Sequence, residues 1–246
     1  MNFDEVPLAK HSHKGLYTPS HWDVESKESY RKWVAEKIVI HSKTILGRDK
    51  KLHSNLFWVS LTGNEMAETK WFLKHYPFFN PKQLLAVDYN RDEGKGQIDP
   101  QVAAQIGVPP EHLFVDYPLK NALQMLRVRY KIAIINADLT CSLMLDTIRT
   151  EVAPLIVSFK RSYDKVGECF LFVNMAAECV NIPNIKQGAK EVYDWLDSRQ
   201  ILRDYFDEPD YRGRDLLLGE WYTGQGINKT TRMFCFCLHL VKPGVA

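Results

Sequence analysis

The sequence lacks any apolar run that approaches the roughly eighteen residues a helix needs to cross a bilayer. Its opening stretch, MNFDEVPLAK, also lacks the apolar core of a secretory signal peptide. From these two absences we expect neither membrane spanning nor secretion. We therefore expect a cytoplasmic protein.

An excess of charge of one sign is also missing. The chain has 32 Lys and Arg against 30 Asp and Glu, a formal net charge of +2. This balance argues against a protein that holds nucleic acid mainly by bulk charge, although a local basic groove remains compatible with it. The sequence contains no Gly-x-x-x-x-Gly-Lys-Ser/Thr loop, which excludes a P-loop nucleotidase.

Cysteine is scarce and odd in number. The five cysteines lie in apolar segments, where a thiol usually serves as a small hydrophobic side chain, and they are Cys141, Cys169, Cys179, Cys235 and Cys237. We expect free thiols in a reducing compartment. On the strand pattern Cys235-Phe236-Cys237, both thiols point to the same strand face, which favours core packing over redox or metal chemistry.

Residues 11 to 22 hold three of the eight histidines. No carboxylate or cysteine completes a ligand set at a recognised spacing, so we predict no metal site. The alternative for this loop-like segment is that it folds over a cleft, with Lys14, Tyr17 and His21 as its contact residues.

Apolar runs of strand length recur along the middle of the chain, without the alternation of a half-exposed strand. Such runs are typical of strands covered on both faces, and hence of a parallel sheet. The predicted strands are residues 56–61, 84–88, 113–116, 132–136 and 169–173. Helices are predicted at residues 65–75, 100–107, 119–129, 143–163 with a possible break at Pro154, and 188–206.

Two further strand-like runs, residues 216–221 and 230–241, have no room for a helix between them and predict an antiparallel hairpin. The predicted fold is therefore α/β: a doubly wound, mostly parallel seven-stranded sheet with an antiparallel C-terminal hairpin. Residues 1–53 are predicted to form an N-terminal appendage of loop plus a helix at about 26–45. Residues 54–246 would form the main domain.

This order of elements resembles that of class I S-adenosylmethionine-dependent methyltransferases, which have a Rossmann-like fold, over about residues 54 to 242. In that family the cofactor lies across the carboxyl ends of the first strands, where the strand order reverses. The resemblance implies S-adenosylmethionine as cofactor. It leaves the substrate open among small molecules, proteins and unusual nucleic acids.

The resemblance also implies a set of cofactor-binding residues. The glycine-rich turn of the family falls on LFWVSLTGNEMAE, where the candidates are Ser60, Thr62, Gly63 and Glu65. Asp88, about 25 residues beyond Gly63 in LLAVDYN, corresponds to the acidic residue that accepts hydrogen bonds from the ribose hydroxyls. Asp116 in LFVDYPL corresponds to the residue that meets the adenine. The tyrosines that follow these two aspartates, Tyr89 and Tyr117, complete the predicted cofactor site.

The fourth motif of the family falls on IINADLT, at the end of the fourth strand. That strand end faces the methyl group and the substrate in many of these enzymes, so the resemblance makes Asp138 and Asn136 the candidate catalytic residues. Methyl transfer requires mainly that the nucleophile be held in line and lose a proton, so position matters more than a particular side chain.

Three alternatives stay open. Gly63 could belong to an ordinary connection in which Thr62 or Asn64 caps the next helix, and the strand-end aspartates could be turn or helix caps. The chain could have the same fold without methyl transfer and act as a binding or assembly module. A nicotinamide-dependent oxidoreductase would also place an acidic residue after the second strand, although the terminal hairpin argues against it.

Overall fold

The computed structural model describes residues 25–63, 66–88, 98–115, 117–142, 151–176, 214–217, 221–224 and 231–242. Within these residues the helices are α1 (Glu25–His41), α2 (Ala67–His75), α3 (Pro100–Ile106), α4 (Leu119–Arg129) and α5 (Ala153–Val166). The strands are β1 (Leu56–Leu61), β2 (Leu84–Asp88), β3 (Leu113–Val115), β4 (Lys131–Ser142), β5 (Glu168–Ala176), β6 (Arg214–Leu217), β7 (Trp221–Gly224) and β8 (Thr231–Val241).

All of these strands belong to one sheet, in the order β3-β2-β1-β4-β5-β8-β6, with β7 also paired to β8. The pairs from β3 through β5 are parallel, and β8 runs antiparallel to β5, β6 and β7. The prediction of an α/β fold with a mostly parallel sheet and antiparallel C-terminal strands is confirmed.

The strand count differs from the predicted seven. Where the sequence predicted one strand at residues 216–221, the structure has two short strands, β6 and β7, each paired with a different part of β8. Leu217 lies opposite Cys237, whereas Trp221 lies opposite Phe234, so the register shifts by one residue between them. A one-residue shift interrupts an antiparallel ladder, which is why the predicted strand is divided.

Helices cover both faces of the sheet. On one face, buried side chains of α4 and α5, such as Leu123 and Phe159, pack against Val59 and Leu171. On the other face, side chains of α1, α2 and α3 pack against Trp58 and Phe172. Because both faces are buried, the central strands are apolar on both sides, which explains their unbroken apolar sequence.

Helix α1 contributes directly to this core. Tyr30, Val34 and Ile38 are buried in the same cluster as Trp58, and the ring of Trp33 meets the ring of Phe172 edge-on at a centroid distance of 5.7 Å. Of the predicted appendage, residues 1–24 lie outside the described part. The described remainder shares its apolar core with the sheet.

The prediction that the first helix extends to residue 45 is wrong, because α1 ends at His41. The backbone N–H groups of Lys43, Thr44 and Ile45 donate instead to the carboxylate of Glu168, at 2.7, 2.5 and 2.9 Å. Glu168 is fully buried at the start of β5, and its carboxylate also pairs with Nε2 of His239 at 2.9 Å. This buried carboxylate therefore attaches the segment after α1 to the sheet.

Helix α5 begins at Ala153, with Pro154 in its first turn, a position that proline tolerates because its missing N–H has no partner there. Residues 143–150 and the predicted helix at 188–206 lie outside the described residues, as does the histidine-rich segment 11–22. Among the helices that the structure does describe, none has the length and apolar character required to span a membrane.

Candidate functional site

The strand order reverses between β1 and β4. From β1 the chain continues outward to β2 and β3 on one side, and β4 and β5 lie on the other side. In open parallel sheets the connections leaving two such strands run to opposite faces and leave a crevice at the carboxyl ends of the strands. A cofactor or small-ligand site is therefore expected where β1 ends beside β4.

Polar side chains gather at these strand ends on one face of the sheet. Because side chains alternate along a strand, Ser60 points to the same face as Trp58, Asp88 as Ala86, and Asn136 as Ile134. The same alternation places Asp138 and Asn174 on this face. We call these five residues, Ser60, Asp88, Asn136, Asp138 and Asn174, the carboxyl-edge row.

The turn after β1 is open on its solvent side. Gly63 has φ +61°, and a Cβ added there would meet no atom of the described residues within 4 Å. The backbone N–H of Thr62 donates to the carbonyl of Val87 in β2 at 3.2 Å, which holds the turn against the neighbouring strand. The glycine thus combines left-handed backbone with free space for a ligand to approach.

The structure does not support a capping role for Thr62. The residue preceding α2 is Met66, which has φ 51° and makes no side-chain capping hydrogen bond. The hydroxyl of Thr62 is buried and has no hydrogen-bond partner among the described residues. Asn64, the other candidate cap, and Glu65 lie outside the described residues.

Asn136 belongs to a buried hydrogen-bonded network beside the point where the strand order reverses between β1 and β4. Its Oδ1 accepts a hydrogen bond from the Tyr30 hydroxyl at 2.5 Å, and its Nδ2 donates to Ser60 Oγ at 3.3 Å and to the carboxylate of Glu68. Ser60 Oγ also donates to Glu68 Oε1 at 3.3 Å. With only 1% of its surface exposed, Asn136 holds α1, α2, β1 and β4 together.

Asp138 is more accessible than Asn136. It is partly exposed, and its Oδ1 accepts a hydrogen bond from Nδ2 of the fully buried Asn174 at 2.7 Å. These two residues lie opposite each other in the β4–β5 ladder, whose register then shifts before Ser142. The hydrogen bond from Asn174 in β5 thus holds one carboxylate oxygen of Asp138 in position.

The second partly exposed carboxylate, Asp88, lies at the end of β2, one strand beyond β1. Tyr117 is 44% exposed just before α4. The remaining predicted cofactor contacts, Tyr89 and Asp116, lie outside the described residues. The structure therefore brings Ser60, Thr62, Gly63 and Asp88 to the same edge as Asn136 and Asp138.

Sequence reasoning missed Tyr30, Glu68 and the partnership of Asn174 with Asp138. Asn174 could have been found, because it is the first polar residue after the buried run CFLFV. Tyr30 is 106 residues away from Asn136 in the chain, and no local pattern signals that contact.

The chemistry of this edge suits a ligand that carries hydrogen-bond donors or positive charge. The carboxyl-edge row offers two carboxylates, Asp88 and Asp138, and no Lys or Arg. Among the described residues, no group of three or more His, Cys, Asp or Glu is arranged to hold a metal ion. No protein-family model matches the chain, and comparison with curated proteins gives no significant match.

Proposed function

We propose that the protein is an S-adenosylmethionine-dependent methyltransferase that binds its cofactor across the carboxyl ends of β1, β2 and β4. The observation that carries the proposal is the reversal of strand order between β1 and β4, with an open glycine turn on one side and Asp88 next to it. The antiparallel C-terminal strands favour this class over a nicotinamide-dependent oxidoreductase.

The residues present fit such a cofactor. Gly63 leaves room for the close approach of a ligand to the backbone, and Asp88 has a partly exposed carboxylate that can accept hydrogen bonds from two adjacent ribose hydroxyls. The buried hydroxyl of Thr62, without a partner among the described residues, is a further donor or acceptor at this turn. The cofactor would supply an electrophilic methyl group carried by a sulfonium.

Asp138 is the proposed proton or hydrogen-bond acceptor for the substrate nucleophile. Asn174 orients its carboxylate through Oδ1, and the partly exposed position of Asp138 lets a substrate approach it. Asn136 was predicted to take part in the chemistry, but its amide is buried and hydrogen-bonded through both Oδ1 and Nδ2. We therefore assign Asn136 the role of positioning β4 against β1 and α2.

The second candidate function is a binding or assembly module with this fold and no methyl transfer. Two observations favour it: the turn after β1 contains one glycine, and the amide of Asn136 is engaged in the network beneath the site. In this case the carboxyl-edge row would serve recognition without catalysis.

Isothermal titration calorimetry with S-adenosylmethionine and S-adenosylhomocysteine tests the proposal. We expect saturable binding of both, and we expect Asp88→Ala to weaken it at least about tenfold, or about 1.4 kcal/mol, because the ribose hydroxyls lose their acceptor. Asp49→Ala, which removes an exposed carboxylate far from the site, is the matched control and should leave the dissociation constant unchanged. No binding at millimolar cofactor would rule out the enzyme.

A further inference from the structure

The edge of the sheet opposite the carboxyl-edge row collects positive charge. Strands β1, β4 and β5 begin at this edge, β8 ends there, and helices α4 and α5 end there. We call it the amino edge. It is separated from the candidate site by the length of the strands.

The first contribution comes from the segment that leads into β1. It folds back on itself through the Leu46–Leu52 bridge and a hydrogen bond from Gly47 N–H to the carbonyl of Lys51 at 2.8 Å. Its tip exposes Arg48 and Lys50. The one carboxylate of this segment belongs to Asp49, whose Oδ2 lies 3.6 Å from Lys51 Nζ. Most of the positive charge of the segment is therefore not neutralised.

The second contribution comes from the ends of α4 and α5. Arg129, the last residue of α4, and Lys131, the first residue of β4, are exposed. Arg161 and Lys165 are exposed on α5. Lys165 Nζ donates to the backbone carbonyl of Arg127, which shows that the two helix ends are adjacent. Exposed basic residues therefore lie at the amino edge both in the segment before β1 and at the ends of α4 and α5.

The surroundings of Arg127 are unfavourable for its positive charge. It is partly buried, and its Nε has no hydrogen-bond partner among the described residues. Burial, together with the like charge of Arg161, lowers the pKa of the Arg127 guanidinium from its ordinary value. In the part of the chain that the structure describes, no carboxylate forms an ion pair with either arginine. An anion placed between the two guanidinium groups would relieve their repulsion.

Helix dipoles explain only part of this arrangement. Cations in the last turn of a helix are favourable, which accounts for Arg127, Arg129 and Lys165. The helix dipole does not account for Arg48, Lys50 or Lys131, which lie in a turn or at the start of a strand. The nearly neutral chain thus has a basic edge and, across the sheet, an edge with two partly exposed carboxylates.

We propose that the amino edge binds the phosphate backbone of a nucleic acid without reading its sequence. The positive charges are spread over three separate chain segments, which suits a row of repeated phosphates better than a single small anion. An anionic bilayer fits less well, since the exposed aliphatic residues near this edge, Ile40 and Val128, lie on helices that pack on opposite faces of the sheet.

Fluorescence anisotropy with a labelled mixed-sequence DNA duplex tests the proposal. The wild-type chain should bind at low salt, and its affinity should fall with salt at a slope that corresponds to about three to five neutralised phosphates. The double variant Arg129→Glu/Lys131→Glu should weaken binding at least about tenfold. The matched control, Lys32→Glu/Lys70→Glu, makes the same change of net charge on α1 and α2 and should weaken it much less.

Equal losses in both double variants, or no wild-type binding at low salt, would overturn the proposal. Circular dichroism should show that both variants are folded. Binding to phosphatidylserine vesicles that is lost in the amino-edge variant, without binding to DNA, would replace nucleic acid by a bilayer as the partner. Calorimetry with S-adenosylmethionine on the same variants keeps this test separate from the proposed activity, because the amino edge lies away from the cofactor site.

Discussion

At the scale of single residues, the site is organised by buried polar groups that hold one another. Asn136 accepts from Tyr30 and donates to Ser60 and Glu68, and all four residues are buried. Buried polar groups are stable only when paired, so each of these side chains limits the positions that the others can take. The part of β4 that carries Asp138 is thereby aligned with the turn after β1.

Removal of the Tyr30 hydroxyl oxygen should weaken this network and destabilise the fold. Tyr30→Phe preserves the ring but leaves Oδ1 of Asn136 without this donor, so the free energy of unfolding should fall by about 1 to 2 kcal/mol. Urea denaturation followed by circular dichroism measures the change. If α1 helps to align the site, the variant should also bind S-adenosylmethionine more weakly at temperatures where it is fully folded.

Tyr130→Phe is the matched control. Tyr130 lies on the other side of the sheet, where its ring packs edge-on against Phe57 and His112, and the phenylalanine ring keeps these contacts. Its free energy of unfolding should change by no more than about 0.5 kcal/mol. An equal loss in both variants would show that Tyr30 contributes mainly through its ring.

At the scale of secondary-structure elements, Glu168 decides where α1 ends and how its continuation meets the sheet. Three consecutive backbone N–H groups and the hydroxyl of Thr44 donate to its carboxylate, and His239 of β8 lies against it. Burial by itself raises the pKa of Glu168, but the hydrogen bonds from His239, Lys43 and Thr44 outweigh burial, and the pKa is lower than its ordinary value of 4.5.

The lowered pKa predicts a pH dependence of stability. Because the folded state binds the proton of Glu168 more weakly than the unfolded state, the stabilisation is complete above the ordinary pKa of 4.5 and is lost as the pH falls through the lower, folded value. Glu168→Gln removes this charge, and at neutral pH it should lower the free energy of unfolding by about 3 kcal/mol. The difference between the two proteins should shrink in acid below that range.

Urea denaturation of both proteins at a series of pH values measures this difference. Glu36→Gln is the control, because Glu36 forms an exposed ion pair with Lys32 at 3.8 Å, and it should change stability by no more than about 0.5 kcal/mol. A stability difference for Glu168→Gln that stays constant from neutral pH to strong acid would contradict a charged carboxylate at this position.

At the scale of the whole molecule, the sheet separates two chemically different edges and encloses the three thiols that the structure describes. Cys169, Cys235 and Cys237 are all buried in the core, in β5 and β8. Burial is the main factor that raises the pKa of Cys169 and of Cys237 well above the ordinary thiol value. Neither thiol should be reactive while the sheet is intact.

Alkylation followed by mass spectrometry of the labelled peptides tests this expectation. In the native protein at neutral pH, Cys169, Cys235 and Cys237 should react at least about a hundredfold more slowly than in the urea-unfolded chain, because reagent reaches them only when the core opens. Fast labelling of Cys237 in the native state would show that the β5–β8 pair opens locally.

Much of this fold follows from local sequence alone. The strands β1 and β2 and the helix α4 were predicted at the residues where they occur. An unbroken apolar run reflects a strand that is buried on both faces, and the helical period reflects a helix that is buried on one face. The antiparallel C-terminal strands also followed, since too few residues separate them for a helix. Gly63, Asp88 and Asp138 were identifiable for the same reason, because each comes at or just after the end of a buried apolar run.

The tertiary structure decided what depends on residues distant in sequence. The end of α1 at His41 depends on Glu168, the split between β6 and β7 depends on a register shift against β8, and the role of Asn136 depends on Tyr30. Local patterns encode how deeply a residue is buried and with what period. They do not encode which distant side chain it meets, because that is set by how the helices and strands pack together.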